Sequence, residues 1–146
     1  MEELLACAIL LYQNIITEEI YQKKLNELFL KDIGNEIFLE LEWETNINEA
    51  IIYICTHINY KNINYEQFGK FLMKILKKYY ECCTNIKQFS NKMYLLWKSL
   101  PGNIQDKQPF CILGYADDPL SWGDEEQTRS IYEKMLNYYQ IANNIK

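Results

Sequence analysis

The chain has 146 residues, 49% of them hydrophobic and 24% charged, with a net charge of −5. Its length suits a single domain over residues 1–146 with a core of its own, and an aromatic share of 14% argues against disorder. The acidic balance disfavours general nucleic-acid binding, which draws its energy from clustered Lys and Arg releasing counterions, and it suits a basic partner instead.

Residues 2–16 place Leu4, Leu5, Ala8, Ile9, Leu11, Tyr12, Ile15 and Ile16 at helical intervals, so a largely buried helix is predicted there. Glu2 and Glu3 stand where a secretory leader carries positive charge. No apolar run reaches the roughly 18 residues of a membrane span, and the expected location is the cytoplasm, without membrane contact. Thr17 can cap a second helix, with Glu18 and Glu19 at its positive end and Ile20, Leu25, Leu28 and Phe29 on one face until Gly34.

Residues 35–45 read two ways. Ile37, Leu39, Leu41 and Trp43 alternate with glutamates as an edge strand would. As a helix, the same letters turn Ile37, Phe38 and Leu41 inward and set Glu36, Glu40 and Glu44 in a ladder facing water. Glu and Leu are good helix formers, which favours the helix. Asn46 or Asn48 then caps a fourth helix with Ile51, Ile54, Cys55 and Ile58 inward.

The asparagines of residues 59–64 mark a linker. From Tyr65 to about Glu81, Phe68, Phe71, Leu72, Ile75, Leu76 and Tyr79 form one stripe, with Lys70, Lys74, Lys77 and Lys78 off it. Thr84 can cap a sixth helix through Ile86, Phe89, Met93, Leu96 and Trp97, which Pro101 and Gly102 end.

Between Pro109 and Asp124, PFCILGYADDPLSWGD holds two of the three prolines and two of the five glycines, and the helical rhythm stops. An irregular or short extended segment is predicted here. Asp124 is placed to cap a last helix, with Glu125 and Glu126 in its first turn and Ile131, Met135, Tyr138 and Tyr139 inward; Asn143 and Asn144 lead out of it. The expected fold is all-α, a single compact domain of six or seven helices with that one segment before the last. Its alternative is a mainly helical α+β domain, in which residues 35–45 pair with Phe110 to Gly114 in a small two-stranded element.

Candidate chemistry is sparse. Asp117, Asp118 and Asp124, with Glu125 and Glu126, offer oxygen ligands for a metal-dependent hydrolase, but Pro119 to Trp122 interrupt the alternate spacing a cation loop needs. Capping and solvation account for the same acids. His57 is the single histidine, and Cys55, two residues away, does not share its helix face, which suits neither triad nor dyad. Cys7, Cys55, Cys82, Cys83 and Cys111 are odd in number without framework spacing, so reduced thiols and no metal or cofactor are expected. Lys70, Lys74, Lys77 and Lys78 give a nucleic-acid adaptor reading, set against the ordinary wet face of an amphipathic helix.

The favoured site is an acidic-aromatic surface of Tyr115, Asp117, Asp118, Trp122, Asp124, Glu125 and Glu126. Aromatics anchor interfaces, and carboxylates around them steer a basic partner. Equally, Trp122 can tuck beneath the segment and leave the acids solvated.

The residues WKSLP (Trp97 to Pro101), then Pro109 and Phe110, then YADDPLSWGDEEQT (Tyr115 to Thr128) make the C-terminal third similar to small, uncharacterised bacterial proteins of the polymorphic-toxin immunity type. The resemblance implies a non-catalytic protein that binds and blocks one cognate toxin domain. It transfers no functional residue.

Overall fold

The structure is a computed structural model that describes residues 1–140. Among the described residues it contains eight α-helices and two short 3-10 turns, with no strand. The all-α expectation holds, while the count of six or seven helices falls short and the α+β alternative is overturned. Contacts divide the chain into two compact units, Met1–Phe68 and Gly69–Lys146. The expected exit through Asn143 and Asn144 lies outside the described residues.

In the first unit, α1 (Glu2–Tyr12) is buried from Leu4 through Leu11. It stops short of residue 16 because Asn14 takes a left-handed φ of 57°, a conformation that asparagine tolerates better than most residues. The Asn14 N–H then bonds to the Leu11 carbonyl at 3.0 Å and the Ile15 N–H to that of Leu10 at 2.9 Å. These two bonds form a Schellman closure.

α2 (Glu18–Lys31) starts at Thr17, whose hydroxyl accepts from the Ile20 N–H at 3.4 Å. Tyr21 and Leu25 are its buried residues. Ile20, expected inward, is exposed.

Residues 36–43 form the helix α3 (Glu36–Trp43), with the Asn35 side chain accepting from the Ile37 and Phe38 N–H groups at 3.0 and 3.3 Å. α4 (Ile47–His57) is capped in the same way by Asn46 and buries Ala50, Ile51 and Ile54. α1 packs on α2 and α4, and α3 on the same two helices.

Asparagine recurs at the later starts. Asn59 begins a 3-10 turn over Tyr60–Asn62, and Asn64 accepts from the Glu66 and Gln67 N–H groups at the head of α5 (Tyr65–Cys82). The boundary between the units falls within α5, after Phe68.

In the second unit, α6 (Ile86–Ser99) is capped by Asn85 rather than Thr84, and it buries Ile86, Phe89, Ser90, Met93 and Leu96. The Phe89 ring meets Tyr80 edge-on at 5.1 Å and Tyr132 edge-on at 4.8 Å, contacts that add about 0.5–1.5 kcal/mol each beyond their buried area. Pro109 to Asp124 is not extended, and its irregular stretches alternate with short helical turns. It makes the single turn α7 (Ile112–Tyr115), then a 3-10 turn over Asp118–Trp122 opened by Pro119.

α8 (Glu125–Leu136) buries Thr128, Tyr132, Met135 and Leu136. Ile131, Tyr138 and Tyr139, expected inward, are half-buried. α7 packs on α6 and α8, and the 3-10 turn packs on α8.

Candidate functional site

The Pro109 to Asp124 segment is sorted by side. Phe110, Ile112, Leu113, Ala116 and Pro119 are buried and clamp it down by apolar burial. On the outside stand Tyr115, 43% exposed, and Trp122, 64% exposed. The indole therefore does not tuck under the segment.

Trp122 is held by the backbone beside it. Gly123 takes a φ of 80°, its N–H bonds to the Leu120 carbonyl at 3.1 Å and the Asp124 N–H to that of Pro119 at 2.9 Å. This repeats the closure at Asn14, here with the glycine that a left-handed position favours. The Ser121 hydroxyl adds a bond to the Asp118 carbonyl at 2.7 Å.

The five acids differ in what they do. Asp124 caps α8, accepting from the Gln127 N–H at 3.0 Å. Glu125 takes two donors from Arg129, at 3.0 and 2.8 Å, which neutralises its charge locally. Asp117 is half-buried, and its charge adds to the burial that raises the Tyr132 phenol. Asp118 and Glu126 are exposed. Tyr115, Asp118, Trp122 and Glu126 are thus exposed side chains of the expected surface, while Asp124 and Glu125 serve the fold.

Among the described residues no three His, Cys, Asp or Glu side chains are grouped so as to hold a metal ion. His57 stacks on Tyr53 at 3.9 Å between ring centroids, and its Nδ1 lies 2.9 Å from the Tyr53 carbonyl. Cys55 is half-buried, and burial raises its thiol above the usual range. Cys7 is fully enclosed, which pushes its thiol up to about 12. Of the α5 lysines, Lys77 donates to the Asn137 side chain at 3.1 Å. Together with Lys70, Lys74 and Lys78 it lines a cavity of about 440 Å³ beside Leu136 and Tyr139. No helix among the described residues is long and apolar enough to cross a membrane.

A second surface lies on the first unit, where the sequence pointed only to a solvated glutamate ladder. α2 and α3 leave between them a groove of about 610 Å³ lined by Asn26, Phe29, Leu30, Leu39, Glu42 and Trp43. The signal was present but divided. Once residues 36–43 are helical, Phe38 and Leu41 fill the inner face, and Leu39 and Trp43, four residues apart, share an outer one.

Compared with known proteins, the chain matches no family model, no curated protein and no solved structure.

Proposed function

We propose that the chain is a non-catalytic protein-binding module of the immunity type, which engages a basic cognate toxin domain through Tyr115, Asp118, Trp122 and Glu126. The observation that carries this reading is Trp122, 64% exposed on a turn closed by its own backbone. Exposing an indole in water costs hydrophobic free energy, and large exposed aromatics set in a charged rim mark protein contacts. Asp118 and Glu126 supply that rim, and the chain's net charge of −5 favours fast encounter with a cationic partner. The scattered carboxylates support binding over the alternative of a hydrolase built on Asp117, Asp118 and Asp124.

The test is stopped-flow binding to a basic bacterial toxin domain offered as the cognate partner. The association rate should fall steeply as salt rises, and Trp122→Ala should weaken binding by about 2 kcal/mol or more. A rate indifferent to salt, with affinity indifferent to Trp122→Ala and Asp118→Lys, removes this surface from consideration.

The lysine-lined cavity of α5 supports a second reading, an adaptor for anionic chains. Retention on single-stranded DNA at low salt, lost when Lys74 and Lys78 become glutamate, would favour it.

A further inference from the structure

We propose that the groove between α2 and α3 is a docking site for a basic amphipathic helix of a partner protein. Its walls are apolar and open to solvent: Leu30 is 73% exposed, Leu39 46% and Trp43 78%. Phe29 is half-buried beside them. Isolated exposed apolar residues are ordinary, but an indole and two leucines lining one groove form a contiguous patch. A volume of about 610 Å³ takes several side chains of an inserted helix. In this mode of recognition, anchors at helical spacing enter an apolar groove.

Charge selects the occupant. α3 and the residue after it carry Glu36, Glu40, Glu42 and Glu44 with no Lys, Arg or His among them, and Glu42 lines the groove itself. α2 and the residue after it are nearly balanced, with Glu18, Glu19, Glu27 and Asp32 against Lys23, Lys24 and Lys31, and Lys24 is engaged with Glu3 and Glu27 at 3.2 Å each. The α2 side is therefore nearly balanced, while α3 is acidic and places Glu42 in the groove itself. A helix whose apolar face fills the groove must have Lys or Arg on the flank that meets α3. A second copy of this chain would set its own acidic α3 against the same glutamates, a like-charge contact that costs binding energy.

The acidic wall is also fixed in place. Asn35 caps the start of α3, and the Glu44 carboxylate accepts from the Asn46 N–H at 2.9 Å just past its end. A preformed wall spares the partner the cost of ordering it.

The test uses the full chain and a designed amphipathic peptide with leucine along one helical face and lysine on its flanks, followed by titration calorimetry. A control peptide replaces every lysine with glutamate. The lysine peptide should bind one per chain and the glutamate peptide at least about tenfold more weakly. Trp43→Ala should weaken the lysine peptide by about tenfold or more. The paired change Glu40→Lys with Glu42→Lys should narrow or reverse the preference. All these side chains are exposed, so the variants should keep the parent circular dichroism. Equal binding of both peptides, or binding that survives Trp43→Ala, overturns the proposal. So does a dimer of the unliganded chain that Trp43→Ala dissociates, because the groove would then belong to a second copy.

Discussion

Trp97 and Gln105 hold each other twice across one loop. The indole Nε1–H donates to the Gln105 carbonyl at 3.0 Å, and the Gln105 side-chain amide donates back to the Trp97 carbonyl at 3.1 Å. On the same indole, a Cβ placed at Gly114 would stand 3.0 Å from the ring, so α7 lies close against it. This clasp sets the stretch that ends in Tyr115. Trp97→Phe and Gln105→Ala should each cost about 1 kcal/mol in urea unfolding. Both bonds tie down one loop, so the double variant should lose less than the sum by about 0.5 kcal/mol or more. Strict additivity would show that the two bonds act separately.

Asp124 joins the exposed turn to α8. Asp124→Ala should destabilise by about 1 kcal/mol through loss of the cap. Asp124→Asn keeps an acceptor for the Gln127 N–H and gives up only the charge at the helix start, so it should retain most of that stability. Thermal unfolding of the two variants side by side checks the ranking.

Burial raises the Tyr132 phenol from its ordinary 10 to about 12, and it does the same to Tyr21 in the first unit. The folded chain therefore holds these protons more tightly than the unfolded one. The stability involved is fully present below pH 10 and is lost as pH rises through about 12. Tyr132→Phe should flatten part of this alkaline loss, read as urea midpoints over that range. At neutral pH it should cost less than about 1 kcal/mol, because the hydroxyl is buried without a hydrogen-bond partner among the described residues.

Thiol labelling separates the cysteines. Cys82 is exposed at the end of α5, whereas Cys7 lies in the buried run of α1 with its thiol pushed up to about 12. Thiolate is the attacking species. Iodoacetamide should modify Cys82 first and leave Cys7 intact until the chain is unfolded in denaturant, as read by peptide mass spectrometry. Modification of native Cys7 at a comparable rate would contradict its enclosure.

Much of the helical layout was legible because starts are written locally. Thr17, Asn46 and Asp124 stand where their side chains accept helix N–H groups, and the period of α5 is clear in its apolar spacing. The misplacements have physical causes. Asn14 ends α1 through a backbone conformation that no apolar pattern announces. Tyr21 rather than Ile20 turns inward on α2, since neighbouring positions on a helix lie only about 100° apart and a wide stripe leaves the choice to the packing partners.

Proline and glycine between 109 and 124 suggested a break, yet short turns accept both: Pro119 opens the 3-10 turn and Gly123 closes it. For the candidate site, residue types were legible and their work only in part. The cap at Asp124 was legible, but nothing in the letters separates Glu125, which pairs with Arg129, from Asp118 and Glu126, which face water. The groove of α2 and α3 was hidden because the alternation in 35–45 mixed two helical faces into one apparent strand.

The placement of the three indoles makes the chain its own optical probe. Trp43 is 78% exposed on the first unit and Trp122 64% exposed on the second, while Trp97 is half-buried with its N–H bonded. Iodide should quench the emission of the first two and largely spare the third. A ligand seated in the groove would shield Trp43, and one seated on the 3-10 turn would shield Trp122. Single Trp→Phe variants at those positions would then report, without any attached dye, which surface is occupied.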